Sequence, residues 1–314
     1  MAASLYADPA CRLSGRDLTR DLDLSADEVR YLLDLAGKMK SAPERYASSL
    51  RGRYLCLLFE KPSLRTRLTF ELAIKQLGGD AVLTNGPVGD REPLKDVARN
   101  LDRWTNAIVA RTFRQGTIDE LALWSNVPVV NALSDLYHPC QALADLLTLK
   151  EKFGPLEGCK LAFVGDGNNV AHSLMLSATR LGMPFAMAAP KGYGPNPEIV
   201  KQARDFAAAS GGFFELTNDP EEAVRDARAV YTDVWASMGQ ESEANARRQA
   251  FQPYQVNERL MAQADPKAVF MHCLPAKRGE ETTDEVMESL QSVVFDQAEN
   301  RLHAQKALLL MLLG

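Results

Sequence analysis

The chain reads as an α/β protein of two doubly wound parallel-sheet lobes joined by interdomain helices. Three observations predict this. Its 314 residues exceed one average domain. Short apolar runs alternate with amphipathic helical segments in two successive series, as in parallel sheets covered by helices. Between the series lies one long amphipathic helix, residues 139–153, closed by Gly154-Pro155 and suited to bridging two lobes.

Taken in order, Ser25-Ala-Asp-Glu28 has the spacing of a capping box, and Val29, Leu32, Leu33, Leu35 and Ala36 follow at helical intervals. Tyr54–Phe59 is apolar throughout, as in a strand buried on both faces. The loop Glu60-Lys-Pro-Ser63 leads into a helix in which Leu64, Leu68 and Leu72 recur one turn apart, with Gly78-Gly79 as its stop. A strand at 107–111, a helix near 118–125 and a short strand at 127–131 complete the first series. The second has a strand at 161–164, a helix through Leu181, a strand near 185–189, a helix over 197–209, and strands at 229–232 and 269–272. The domain boundary is expected within or just after the helix at 139–153. No solenoid-period repeat or low-complexity tract is visible.

Composition narrows the function classes. Hydrophobic residues at 46% and charged residues at 25% describe a globular chain able to bury a core. The net charge of −5 and the lack of a dense basic run argue against nucleic acid. Residues 1–134 carry net +2 and residues 135–314 net −7, which suggests different ligands for the two halves. The five cysteines, Cys11, Cys56, Cys140, Cys159 and Cys273, form no C-x-x-C pair, so a reducing cytoplasm is expected and no metal site is. The N-terminus lacks the apolar core of a signal peptide. Ala-Leu-Leu-Leu-Met-Leu-Leu near the C-terminus is much shorter than the ~18 residues of a membrane span.

Four clusters carry possible chemistry. Ser63-Leu-Arg-Thr-Arg67 sits at a strand-to-helix turn, where free N–H groups, the helix dipole, the hydroxyls of Ser63 and Thr66 and the fork of Arg65 suit a phosphate. The plainer reading is a capped helix with solvated arginines. No Walker-type loop is present. Gly165-Asp-Gly-Asn-Asn169 follows a strand, but the third glycine of a dinucleotide fingerprint is replaced by Val170; Asn168 and Asn169 offer amides, and a tight turn with an Asn cap is the alternative. In Tyr231-Thr-Asp-Val-Trp-Ala-Ser-Met-Gly239, the carboxylate of Asp233 and the loop at Ser237 suit an amine ligand, though an Asp at a strand end is often only a helix cap. In Met271-His-Cys-Leu-Pro275, neighbouring His272 and Cys273 point to opposite faces of a strand, which disfavours a Cys–His dyad. His138-Pro-Cys-Gln141 adds a polar helix entry.

Together these segments resemble the aspartate/ornithine carbamoyltransferase family, and its ornithine branch in particular. The likeness runs from Phe59-Glu-Lys-Pro-Ser-Leu-Arg-Thr-Arg67 through Ala110-Arg-Thr-Phe113, Asp135-Leu-Tyr-His-Pro-Cys-Gln-Ala-Leu-Ala-Asp145, Gly165–Asn169, Asp233–Gly239 and His272-Cys-Leu-Pro275 to Ala298-Glu-Asn-Arg-Leu-His-Ala-Gln305. The resemblance implies carbamoyl transfer from carbamoyl phosphate to the side-chain amine of L-ornithine, giving citrulline and phosphate by direct attack, with no cofactor. It implies a carbamoyl phosphate set of Ser63, Leu64, Arg65, Thr66, Arg111, His138, Gln141, Cys273, Leu274 and Arg301, of which Arg111, His138, Cys273 and Arg301 are catalytic. It implies an ornithine set of Asn169, Asp233, Ser237 and Met238.

The corresponding domains are 1–138 for carbamoyl phosphate and 154–298 for ornithine, linked by 139–153, with a final helix at about 299–314 packing back onto the first. A homotrimer is implied, with neither nucleic acid nor membrane as partner. Two departures stand out. Leu64 occupies a position where relatives commonly have threonine, and Asn85–Arg91 lacks the glutamine that relatives often send into a neighbouring subunit. The alternatives are transfer to acetylornithine, succinylornithine or putrescine, and a non-catalytic two-lobed binding subunit. A dehydrogenase is opposed by Val170.

Overall fold

The computed structural model describes residues 13–236 and 243–314. They divide into two compact units: one runs to Leu143 and regains Arg301–Gly314, and the other is Ala144–Asn300.

In the first unit, α1 (Ala26–Ser41) opens on the expected capping box. Ser25 Oγ accepts from Glu28 N, and the Glu28 carboxylate accepts from Ser25 N. There follow β1 (Tyr54–Phe59), α2 (Leu64–Gln76), β2 (Asp80–Asn85), α3 (Leu94–Trp104), β3 (Ala107–Arg111), α4 (Gln115–Trp124), β4 (Val129–Leu133) and the first turn of α5 (Pro139–Phe153), which continues into the second unit from Ala144. The four strands are parallel, in the order β2-β1-β3-β4. β2 and α3 were not foreseen. β2 is an edge strand of mixed burial, so it lacks the apolar run that marks β1 and β3.

One helix faces the other way from what its leucines suggest. Leu64, Leu68 and Leu72 of α2 are 71%, 45% and 45% exposed, whereas Thr66, Phe70, Ala73 and Ile74 are buried. The period-four row identified the helix correctly, but it is not the core face.

In the second unit the order is β5 (Leu161–Val164), α6 (Asn169–Arg180), β6 (Phe185–Ala188), α7 (Pro197–Ser210), β7 (Phe214–Thr217), α8 (Pro220–Val224), β8 (Ala229–Thr232), α9 (Ala244–Phe251), α10 (Glu258–Met261), β9 (Val269–His272), α11 (Asp284–Met287) and the start of α12 (Val294–Leu313), whose remainder from Arg301 belongs to the first unit. Its parallel sheet runs β7-β6-β5-β8-β9. β5, β6, β8 and β9 are buried along their whole length, and Phe163 stacks on Tyr231 with ring centroids 5.5 Å apart. Each large aliphatic or aromatic side chain so buried contributes roughly 1.5–3 kcal/mol. Among the described residues no helix is long and apolar enough to cross a membrane.

Both sheets start near their middle. β1 is flanked by β2 on one side and β3 on the other, and β5 by β6 and β8. Successive connections therefore diverge at the carboxyl ends of β1 and β3, and again at those of β5 and β8. Open α/β sheets bind ligands at such switch points.

Candidate active site

At the switch point of the first sheet, the chain leaves β1 at Phe59 and enters α2 through Ser63. Ser63 is the N-cap, and its Oγ accepts from Thr66 N at 3.2 Å. The capped-helix reading is therefore right about this hydroxyl oxygen, while the helix N-terminus remains a donor site for anions. Arg65 lies half-buried on the same turn, whereas the side chain of Leu64 faces outward.

Thr66, 1% exposed, gathers the rest. Its Oγ1 accepts from Arg301 Nη2 at 2.8 Å and, more weakly, from Arg111 Nη1 at 3.5 Å. Arg301 Nη1 in turn donates to Gln141 Oε1. Residues from α2, β3 and α12 thus meet at one threonine hydroxyl, and α5 joins them through Arg301. Arg111 arrives where the β3–β4 register shifts by one residue, between Ala110 and Arg111, an irregularity of the kind that re-aims a side chain.

His138 completes the set at the entry to α5 and is buried. Its pKa lies well below 6.5, first because burial disfavours the imidazolium, then because Arg301 and Arg111 repel it. A positive potential that holds an imidazole neutral is favourable for an anion. Sequence reasoning missed what fixes this turn. Ser134 Oγ donates to Gln115 Oε1 at 2.6 Å and accepts from Tyr137 N at 3.1 Å, while Asp135 Oδ1 accepts from Gln115 N at 2.7 Å. Glu60 similarly pins the ends of neighbouring loops, accepting from Val88 N and Phe113 N.

At the second switch point the backbone leaves β5 through Gly165-Asp-Gly. Any Cβ at Gly167 would lie 2.2 Å from Pro195 N, so this glycine serves a close backbone approach and not a nucleotide fingerprint. Asn168 caps α6: its Oδ1 accepts from Val170 N and Ala171 N, and its Nδ2 donates to Asp233 Oδ2 at 2.7 Å. The Asn cap foreseen in sequence is present and has a second role. Asn169, assigned by resemblance, is the first residue of α6, but its neighbour Asn168 makes the bond to Asp233.

Asp233, buried at the end of β8, also accepts from its neighbour Val234 N at 2.8 Å and from the Cys273 thiol at 3.1 Å. A thiol that donates to a carboxylate is held as S–H, the wrong state for a nucleophile. Close by, Asp166 forms an ion pair with buried Arg247 at 3.1 Å, and burial before any other cause pushes Asp166 up to about 6. Arg247 also donates to Trp235 O. Ser237 and Met238 lie outside the described residues.

His272 turns away from Cys273's partner, as strand alternation predicts. Its Nδ1 accepts from Leu274 N at 2.8 Å, and its Nε2 faces Glu281 Oε1 at 3.2 Å; both groups are fully buried. The Nδ1 contact places the imidazole proton on Nε2, from which it donates to Glu281. Leu274 lies in the left-handed region, φ 59°, and the amide held by His272 helps maintain that turn. Asp233, His272 and Cys273 bring one potential metal ligand each within 4.8 Å of one another. Both ring nitrogens of His272 are nevertheless committed to protein partners, so a cation there would have to displace one of them.

Comparison with known proteins agrees over most of the chain. Residues 16–151 match the model of the aspartate/ornithine carbamoyltransferase carbamoyl-P binding domain, and residues 157–312 that of the Asp/Orn binding domain. The chain is similar to the ornithine carbamoyltransferase of Thermococcus kodakarensis, 50% identical over 310 residues covering 96% of this chain and 98% of that one. It resembles the enzyme of that name from Anoxybacillus flavithermus at 51% over 308 residues, again with 96% and 98% covered. Among solved structures, the ornithine carbamoyltransferase from Pyrococcus furiosus superposes with a TM-score of 0.94 at 50% identity, covering 96% of this chain and 98% of that one.

Proposed function

The chain belongs to the aspartate/ornithine carbamoyltransferase family, and we propose that its two residue sets divide one reaction between an anionic donor and an amine acceptor. The enzyme transfers the carbamoyl group of carbamoyl phosphate to ornithine. The division of roles among residues is our own reading.

Carbamoyl phosphate is an activated acyl donor, so transfer needs orientation and charge stabilisation, not a covalent enzyme intermediate. The N-terminus of α2, Ser63, Arg65 and Thr66 take the phosphate, and the backbone N–H of Leu64 serves where its side chain has nothing to offer. Arg111, His138 and Arg301 donate to the carbonyl oxygen, with His138 acting as a neutral Nε2–H or Nδ1–H donor because its pKa is depressed. Gln141 orients the carbamoyl amide.

Asn169, Asp233, Ser237 and Met238 hold ornithine, and Cys273 and Leu274 guide its side-chain amine. The amine's lone pair attacks the carbonyl carbon, the bond from that carbon to the phosphate oxygen breaks, phosphate departs, and the nitrogen loses a proton. An alkylammonium has a pKa near ~10.4 in water, and desolvation together with nearby guanidiniums lowers it. Asp233 favours the ammonium and therefore acts to orient it. Cys273 positions the amine without attacking.

The observation that carries this reading is the hydroxyl of Thr66 shared by two buried guanidiniums beside an imidazole that burial, and then their charge, keeps neutral. The test is a panel with carbamoyl phosphate and ornithine, acetylornithine, succinylornithine, putrescine or aspartate. Citrulline formation well above every other product is expected. Activity confined to an acylated amine would overturn the assignment of the acceptor.

A homo-oligomer, in keeping with a trimer, is supported by the outward row of Leu64, Leu68 and Leu72 and by the exposed Val82 on edge strand β2. Apolar rows of this kind mark contact surfaces. Sedimentation of the purified protein tests it, and a monomer at micromolar concentration would contradict it. A reducing, cytoplasmic setting is supported by Cys56, Cys140, Cys159 and Cys273, none of which is in a disulfide.

A further inference from the structure

Beyond the residues assigned so far, a buried amide on α12 reaches the strand end that carries Cys273. Gln297, 1% exposed, accepts at Oε1 from His272 N at 2.9 Å and donates from Nε2 to Asp145 Oδ1 at 2.9 Å. Asp145, on α5, and His272 are fully buried. Three residues further along the same face of α12, Asn300 Nδ2 donates to Thr148 Oγ1 at 3.0 Å and to Glu151 Oε2 at 2.8 Å. Two polar rungs therefore fasten this stretch of α12 to α5.

The chemistry on either side of Gln297 leaves little choice of side chain. One neighbour, a main-chain N–H, can only donate; the other, a carboxylate, only accepts. A side chain with one acceptor and one donor at the same reach satisfies both, and that is a primary amide. Asp145 thus fixes which way round the amide lies, and the amide fixes the N–H at the end of β9. The next two residues are Cys273, hydrogen-bonded to Asp233, and Leu274, held in the left-handed region.

We propose that Gln297, oriented by Asp145, is a positioning residue for carbamoyl transfer, setting the carboxyl end of β9 and so the aim of Cys273 and Leu274. The proposal rests on the reading that these two residues line the amine site. Gln297 touches no reacting atom; it acts through the main chain of His272. A carboxylate introduced at position 297 would be set against the buried carboxylate of Asp145, while an amide introduced at position 145 can still present its carbonyl oxygen to Gln297. In the double exchange, the new carboxylate accepts from both His272 N and the new amide, so both bonds return with the second reversed in polarity.

The test compares the full-length parent with Gln297→Glu, Asp145→Asn and the double variant. Turnover is measured with both substrates, and the alkylation rate of Cys273 is measured by peptide mass spectrometry without substrates. Gln297→Glu is expected to lose about 10²-fold in kcat, the scale of a small misplacement of a reacting group. Its Kd for carbamoyl phosphate should change much less than its kcat, since Ser63, Arg65, Thr66, Arg111, His138, Gln141 and Arg301 are untouched. Cys273 alkylation should change by about tenfold or more as the thiol leaves its place on Asp233.

Asp145→Asn should stay within a few fold of the parent in both readouts, and the double variant should recover most of the loss. If the double variant is as impaired as Gln297→Glu, or if Gln297→Glu leaves both readouts unchanged, the proposal is overturned. Should Gln297→Glu not fold, Gln297→Met supplies the same two readouts. Alkylation needs no turnover, so loss of the thiol's placement is read separately from a failure of the parent to make citrulline.

Discussion

The two residue sets solve opposite electrostatic problems. Around Thr66, two buried guanidiniums and an imidazole converge, and burial first, then the repulsion of Arg301 and Arg111, keeps the imidazole neutral. Around Asp233, one carboxylate is already engaged by Asn168, Cys273 and its neighbour's amide. An anion entering the first set relieves repulsion among groups that the fold holds together. A cation entering the second must compete with hydrogen bonds that the protein makes to itself. The first set should therefore bind tightly with little rearrangement, and the second should discriminate more than it binds.

Substitutions separate these roles. The largest effect is expected from Arg301→Met, which removes a donor to the carbonyl oxygen and a partner of both Thr66 and Gln141: kcat should fall by about 10²- to 10³-fold, measured as citrulline formed at saturating substrates. Asp233→Asn should raise the KM for ornithine by about tenfold or more while leaving carbamoyl phosphate binding within about twofold, which steady-state kinetics with each substrate varied would show. An Asp233→Asn enzyme impaired mainly in carbamoyl phosphate binding would break the comparison.

Smaller changes probe the first set's frame. Ser63→Ala removes the cap on Thr66 N and should lower unfolding stability by about 1 kcal/mol in chemical denaturation, with a rise in the KM for carbamoyl phosphate. The smallest effect concerns His138. Its folded pKa lies below its unfolded value of 6.5, so the unfolded chain binds more protons under mildly acid conditions, and stability falls as the pH drops through and below 6.5. His138→Gln lacks this titration, and denaturation between about pH 7 and 5 should show a shallower loss than the parent.

Much of this molecule was legible in sequence where the signal is local. The capping box at Ser25 and Glu28, the strand over Tyr54–Phe59 and the helix over Pro139–Phe153 depend on near neighbours, and they stand where spacing predicts them. The leucine row of α2 shows what periodicity withholds: it aligns residues on one face without saying whether that face meets the core. β2 escaped because an edge strand need not be apolar on either side. The motifs around Ser63, Arg111 and His138 could be named individually, but the meeting of Thr66 with Arg111 and Arg301 at one hydroxyl depends on strand order.

Gln297 had no signal at all, since its partner Asp145 lies 152 positions away and both occupy ordinary helical sequence. Asn168 was visible as a cap, and its bond to Asp233 was not. Val170 correctly spoke against a nucleotide fingerprint, and the reason for Gly167 emerged only once Pro195 was seen against it.

The division between an anion set and an amine set is tested most directly by calorimetric titration of carbamoyl phosphate into the parent, Asp233→Asn and Arg301→Met proteins without ornithine. Carbamoyl phosphate should bind the parent and Asp233→Asn with the same affinity and bind Arg301→Met at least about tenfold more weakly. Equal binding to the parent and Arg301→Met, or weakened binding to Asp233→Asn alone, would contradict it.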